Sequence, residues 1–145
     1  MSRILDIQKK SNQYIASLEE NVVRIIESHQ KETLDINKKQ LLGSLDANGG
    51  PLIHRLTGSE KLSRAYARRM GKTKPNLYVN GAFMEGMFLH MPSSKEYLIN
   101  SDFYTSVFLQ KNYGKIMGIA PDNQPKAQEI NDKLVVEDYL KKVFR

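Results

Sequence analysis

Residues 76–91 read NLYVNGAFMEGMFLHM, and the way this stretch is read decides the fold. It opens as a β-like run, breaks at Asn80-Gly81 and resumes as an apolar stretch from Met87. Just before it, Pro75 restricts Lys74 to extended backbone, because the proline ring crowds the residue that precedes it. Leu77, Val79, Gly81 and Phe83 are therefore expected to form a turn that opens the sheet and supplies part of its core. Met87 to Met91 and Glu96 to Asn100 have strand composition, and Pro92-Ser93-Ser94-Lys95 between them reads as a hairpin loop. The strands thus fall within residues 75–101.

Everything before this stretch has helical or loop character. Ile4, Ile7, Tyr14, Leu18, Val22 and Ile25 recur at three- and four-residue intervals, with Ser11 in the one gap, which predicts an amphipathic helix within residues 1–30. Lys9, Lys10, Glu19, Glu20 and Arg24 occupy its other face. The apolar stripe fits either a core-facing helix or a contact with a neighbouring subunit. From His29 to Leu45 the period weakens, and a loop with a single helical turn near Asn37 is expected. Asp46-Ala47-Asn48-Gly49-Gly50 reads as a hairpin tip between Leu45 and Leu52, since Asn-Gly suits the positive φ angles of a type I′ turn. It is not a calcium loop: Gly50 stands at the fifth position and Thr57 where the twelfth ligand belongs.

Thr57-Gly58-Ser59-Glu60 has capping-box spacing and predicts a second helix running to Met70, stopped by Gly71. Lys61, Arg64, Arg68 and Lys72 share one face of that helix, with Arg69 and Lys74 adjacent. Such a basic stripe is either a solvated helix face or a surface for DNA or an acidic partner. Beyond the strands, residues 103–113 read as a short helix with Phe103, Val107 and Phe108 inward, ended by Gly114. Ile116-Met117-Gly118-Ile119 reads as a buried extended turn. A last helix is expected over residues 122–143, with Asp122 or Asn123 as cap and Pro125 in its first turn, where no amide hydrogen is needed. Ala127, Ile130, Leu134, Val136, Tyr139, Leu140 and Val143 continue along it.

These elements sum to an α+β fold: a small antiparallel sheet packed by a long N-terminal helix and a C-terminal helix, in a single domain over residues 1–145. Mean hydropathy of −0.51 and 40% apolar residues sit at the polar end of globular composition, which suits an assembly subunit with much surface. The absence of cysteine removes disulfides and thiolate metal sites and fits a reducing cytoplasm. Charges interrupt MSRILDIQKK, so neither a signal peptide nor a membrane span is expected, and the chain should be soluble. A net charge of +6 and a pI near 9.5 favour an anionic neighbour.

No catalytic constellation is legible. His29, His54 and His90 are scattered away from acidic clusters, Ser59 and Ser63 lack a nucleophile-elbow context, and Glu19-Glu20 and Glu129 with Asp132 read as helix-face residues. Gly71-Lys72-Thr73 is not a phosphate loop, because Tyr66 stands where that motif needs glycine. No cofactor, metal or small-molecule substrate is expected. An enzyme or lysis factor would need a deep polar cleft around His54 or His90.

Four stretches in this order resemble small virion-morphogenesis proteins of tailed bacteriophages, including versions in phages that infect gut Bacteroidetes. They are QLLGSLDANGGPLI (residues 40–53), EKLSRAYARRMGKTKPNLY (60–78), NLYVNGAFMEGMFL (76–89) and YGKIMGIAPDNQPKAQEINDKL (113–134). The likeness spans residues 41–134. Asn80-Gly81 stands where such families usually carry Thr-Gly. The resemblance implies a non-enzymatic head-to-tail connector or tail-completion subunit, made in the host cytoplasm and built into the virion. It would form a homo-oligomeric ring at the portal vertex or tail, touching portal and adjacent tail or connector proteins around a channel that passes DNA. Lys61, Arg64, Arg68, Arg69, Lys72 and Lys74 would then face DNA or a partner. The alternative is a small basic DNA-binding regulator, although the stripe lacks the residue mixture that reads base edges and no helix-turn-helix spacing precedes it.

Overall fold

A computed structural model describes residues 2–75, 77 and 81–145. The expected sheet residue Val79 and the Asn80 half of the predicted turn lie outside the described residues. The elements are α1 (Arg3–Ala16), α2 (Leu18–Ser28), α3 (Lys31–Leu42), α4 (Arg64–Met70), α5 (Ala82–Glu85), β1 (Met87–Ser93), β2 (Glu96–Ser101), α6 (Ser106–Tyr113) and α7 (Gln124–Phe144). The fold is α+β, with helices packed on a two-stranded antiparallel sheet, as the sequence predicts.

The N-terminal helix is broken in two. Ser2 caps α1 by accepting the Leu5 N–H, and Ser17, at φ −109° and ψ 26°, ends the first helix and starts the second. The kink lets α1 run along α7 while α2 touches both α7 and β1. Tyr14, Ile25 and Ile26 are buried, but Ile4 at 76% and Leu18 at 42% exposure point outward, against the expected stripe. The kink and the open N-terminal end explain the difference: neither residue reaches the body of the core.

Residues 31–42 form a full helix and not the expected loop. Leu34, Ile36 and Leu41 are buried, and so are Thr33, Asn37 and Gln40. These polar side chains interrupt the apolar period, yet they face inward because each has a backbone or side-chain partner there. Asn37 Nδ2 donates to the Ile116 carbonyl at 3.0 Å, and its Oδ1 accepts the Gly118 N–H at 2.8 Å. Gln40 donates to the Gly118 carbonyl at 3.0 Å and accepts the Ala120 N–H at 2.8 Å. The extended segment 116–120 thus has helix side chains where a strand would have a neighbouring strand.

In the sheet, Met87 pairs with Ser101 and Leu89 with Ile99, and the register shifts between His90 and Ser93. Met87, Leu89, Met91 and Ile99 are buried, while Phe88, His90 and Leu98 lie on the exposed face. Side chains of the α2 region occupy the outer edge of β1. The Met91 N–H donates to Glu27 Oε1 at 2.8 Å and the Leu89 N–H to Gln30 Oε1. The sheet begins only at Met87. Phe83 belongs to α5, which Gly81 enters at φ +86°, and Leu77 sits at φ +60°, so neither is strand. Phe83 and Met84 are nonetheless buried, inserted beneath the sheet from a single helical turn.

The Asp46–Gly50 tip forms, with the Asp46 carboxylate accepting the Asn48 and Gly50 N–H groups, but it closes only one bridge, Leu45 to Pro51, and no extended hairpin. α6 starts at Ser106, later than predicted, and its inward positions are Ser106, Leu109 and Tyr113. Val107 and Phe108 are therefore exposed, at 78% and 63%, where the longer helix had them inward. Asn123 precedes α7 without a side-chain cap, its amide donating instead to Gln40. Ala127 and Val143 are buried, whereas Val136 and Leu140 face outward.

Gly114 ends α6 at φ +80° and ψ −135°, a conformation nearly closed to residues with a Cβ. A Cβ there would also meet the Arg55 guanidinium at 2.8 Å, though that flexible group can move aside. Gly114→Ala is expected to cost about 2 kcal/mol from backbone strain. Urea unfolding checks it: the midpoint falls while the slope is unchanged.

Candidate partner-binding groove

The predicted helix over residues 57–70 forms only from Arg64. Thr57 accepts the Ser59 N–H, so the capping box never closes, and Ser63 caps the helix instead by accepting the Tyr66 N–H at 3.3 Å. Gly71 stops it in the left-handed conformation, as expected. The basic stripe is consequently divided. Arg64, Arg68 and Arg69 are exposed on α4, Lys61 precedes it, and Lys72 and Lys74 follow it. The Arg69 guanidinium lies 5.2 Å from the Tyr66 ring centre, a cation–π contact. A hydrogen bond from the Leu62 N–H to the Thr73 carbonyl, 2.8 Å, folds the two ends together, and both Lys61 and Lys72 then border one concavity.

That concavity is a groove of about 830 Å³ between residues 54–75 and α6. The Arg55 N–H bonds the Asn112 carbonyl at 2.7 Å and the His54 ring stacks edge-on against Tyr113 at 5.3 Å, fastening one end. Phe83, Leu62, Leu77, Phe103 and Leu109 supply apolar walls, and Tyr66, Tyr104 and Phe108 stand among the lining side chains. Of the predicted sheet-core residues, Leu77, Gly81 and Phe83 all border this groove. Burial pulls the Lys72 ammonium below its ordinary pKa. It also pushes the Tyr113 phenol up, with Tyr66 adding to the effect. Among the described residues lining the groove there is no Asp or Glu. His54 is present, but it stands in a mostly apolar lining and its Nδ1 accepts the Leu56 N–H at 3.3 Å.

Chemically, the groove can hold an apolar group and offer cations at its border. No family model, curated protein or solved structure matches the chain. Among the described residues no cluster of three His, Cys, Asp or Glu side chains could hold a metal, and no helix is long and apolar enough to cross a membrane. Sequence reasoning found the basic residues but not the groove. The overlooked signal was Leu56, Tyr104, Val107 and Phe108, four large apolar residues around two short helices with too little chain to cover them all.

Proposed function

We propose that this chain is a structural, non-enzymatic virion subunit of a tailed phage, a head-to-tail connector or tail-completion ring protein that works by binding. The observation that carries this reading is the set of large apolar side chains left exposed on separate helices. Ile4 and Ile15 stand out on α1, Val107 and Phe108 on α6, and Val136, Leu140 and Phe144 along α7. The last three follow one another at i, i+4 and i+8 and form a continuous stripe. Apolar surface of this extent on a small chain marks contact with other subunits. The resemblance of residues 41–134 to connector proteins supplies the context, and the charge of +6 suits a subunit close to DNA or an acidic portal surface. A ring needs a head-to-tail interface, in which two different surfaces of each copy meet, and the α7 stripe is assigned to one of them.

Light scattering across concentration and salt tests the assignment. A closed oligomer is expected, either alone or on adding the portal protein, and Val136→Asp with Leu140→Asp should return it to monomer. A chain that stays monomeric under all conditions, ignores portal and binds duplex DNA with steep salt dependence would be a regulator instead. In that case Arg64→Glu with Arg68→Glu would abolish DNA binding.

A further inference from the structure

Glu27 and Gln30 hold the N–H groups of Met91 and Leu89 on the outer side of β1, so Phe88 and His90 bond inward to Asn100 and Leu98. Alternation along β2 then turns the backbone of Tyr97, Ile99 and Ser101 away from β1. Asn100 Oδ1 accepts the Ser101 N–H at 2.9 Å, but among the described residues nothing accepts from the N–H of Tyr97 or Ile99. We infer that this side of β2 pairs antiparallel with the same side of β2 in a second copy of the chain, Leu98 facing Leu98 across a two-fold axis. The inference goes beyond the ring reading, since it uses neither α7 nor a head-to-tail contact.

The open groups choose the register. Centring on Leu98 sets Tyr97 of each copy against Ile99 of the other, so that all four free N–H groups find carbonyls. Centring on Ile99 would set Tyr97 against Ser101, whose N–H is already held, and Glu96 against Asp102, two like charges. Centring on Tyr97 would set Ile99 against Lys95, which lies in the turn, and Glu96 against Leu98. In the Leu98 register, Leu98, 53% exposed, meets its own copy, and Glu96 meets Asn100. Both are non-hydrogen-bonded pairs, in which side chains stand closest. Asn100 Oδ1 is taken by Ser101 and Gln110, whereas its Nδ2 donates to nothing among the described residues and suits the Glu96 carboxylate. Phe88, on the same exposed face, flanks the leucines diagonally. A foreign strand would gain the backbone bonds but not this match of β2 to itself. Six-residue strands bury less than a standard interface, so the pair is weak: the α7 variant is monomeric when dilute and pairs as it is concentrated.

Disulfide crosslinking tests the register, in the full chain carrying Val136→Asp and Leu140→Asp so that α7 contacts do not contribute. The chain has no cysteine, so an introduced thiol has no competitor within its own copy. Leu98→Cys puts two thiols across the axis with Cα atoms about 4.5 Å apart, within disulfide reach. Asn100→Cys and Glu96→Cys, also at exposed positions, each lie four residues from their own counterpart, about 13 Å away and out of reach. Under mild oxidation Leu98→Cys should dimerise about tenfold faster, or more, than either. A mixture of Glu96→Cys and Asn100→Cys should join the two to each other and neither to itself. On concentrating the chain, light-scattering mass should rise from 16.6 kDa towards twice that value, and Leu98→Lys should hold it at one chain. Equal crosslinking at the three positions, no crosslinking at Leu98→Cys, or a mass indifferent to Leu98→Lys overturns the inference. Preferential crosslinking of Leu98→Cys to added portal protein also overturns it and assigns β2 to a foreign strand. A ring without the Leu98 crosslink sinks this inference alone, whereas the crosslink without a ring leaves it standing and sinks the ring.

Discussion

Asn37→Leu is expected to lower the stability of the chain by about 3–4 kcal/mol, although leucine is similar in size and a better helix former. The reason lies in what Asn37 holds. It is fully buried, and its amide satisfies both the Ile116 carbonyl and the Gly118 N–H, in a segment with no strand beside it. Leucine leaves both backbone groups without partners, and each such group costs about 1–3 kcal/mol when water is excluded. For a chain of this length that corresponds to a fall in Tm of about 10 °C. Urea unfolding followed by circular dichroism measures it, with exposed Lys39→Ala in the same helix as the comparison, expected within about 0.5 kcal/mol of the parent. A shift below about 1 kcal/mol for Asn37→Leu would mean that the 116–120 segment is held by Gln40 and apolar packing alone.

Asp138→Ala should produce the second large loss, about 3 kcal/mol at neutral pH. Asp138 is buried on α7, where it accepts the Tyr14 hydroxyl at 2.7 Å and pairs with Arg24 at 2.6 Å, tying α1, α2 and α7 together. Its removal leaves the Tyr14 hydroxyl unsatisfied in the interior. Arg24 suffers less, because its side chain is 42% exposed and water can replace the lost partner. Burial by itself would raise the Asp138 carboxyl, but hydrogen bonds from Arg24 and Tyr14 and the charges of Arg24 and Lys142 outweigh it and hold the pKa below the ordinary value. A lowered folded pKa means that the stability is present above the ordinary carboxylate range and is lost as pH falls through the folded value.

Tyr14 works in the opposite direction. Burial first, then the hydrogen bond to and charge of Asp138, push its phenol up to about 12, with Arg24 opposing. Its contribution is complete below the ordinary tyrosine pKa of about 10 and is lost as pH rises through about 12. Urea midpoints measured against pH should therefore fall in that alkaline window for the parent chain, with a shallower fall for Tyr14→Phe. An unchanged alkaline profile in Tyr14→Phe would show that Tyr14 does not drive the loss.

The hairpin was legible because its alternation survives: Met87, Leu89 and Met91 face the core and Phe88 and His90 do not. α7 was legible from its length and its proline near the start. α3 was not, because an inward face of Thr33, Asn37 and Gln40 looks polar until the backbone they serve is known. Arg24 was placed correctly on the polar face of the first helix, but nothing in the spacing pointed to Asp138, 114 residues away. The break at Ser17 had no glycine or proline to announce it. At residues 57–63 the expected Thr57 cap does not form: Thr57 spends its oxygen on a local turn with Ser59, and Ser63, which the sequence reading had not considered as a cap, starts the helix instead. That displacement divided the basic stripe and brought Lys61 and Lys72 to one groove.

The edge of β1 has a bearing on polymer growth. For strands to add one after another into a fibre, each unit must accept a neighbour on both sides, like a bifunctional monomer in a condensation reaction. Glu27 and Gln30 already hold the outward N–H groups of Met91 and Leu89, so this sheet is monofunctional at most. Edge pairing could join two copies and would then terminate. At high concentration the sheets of this chain therefore lack the second open edge that running on into amyloid-like chains requires.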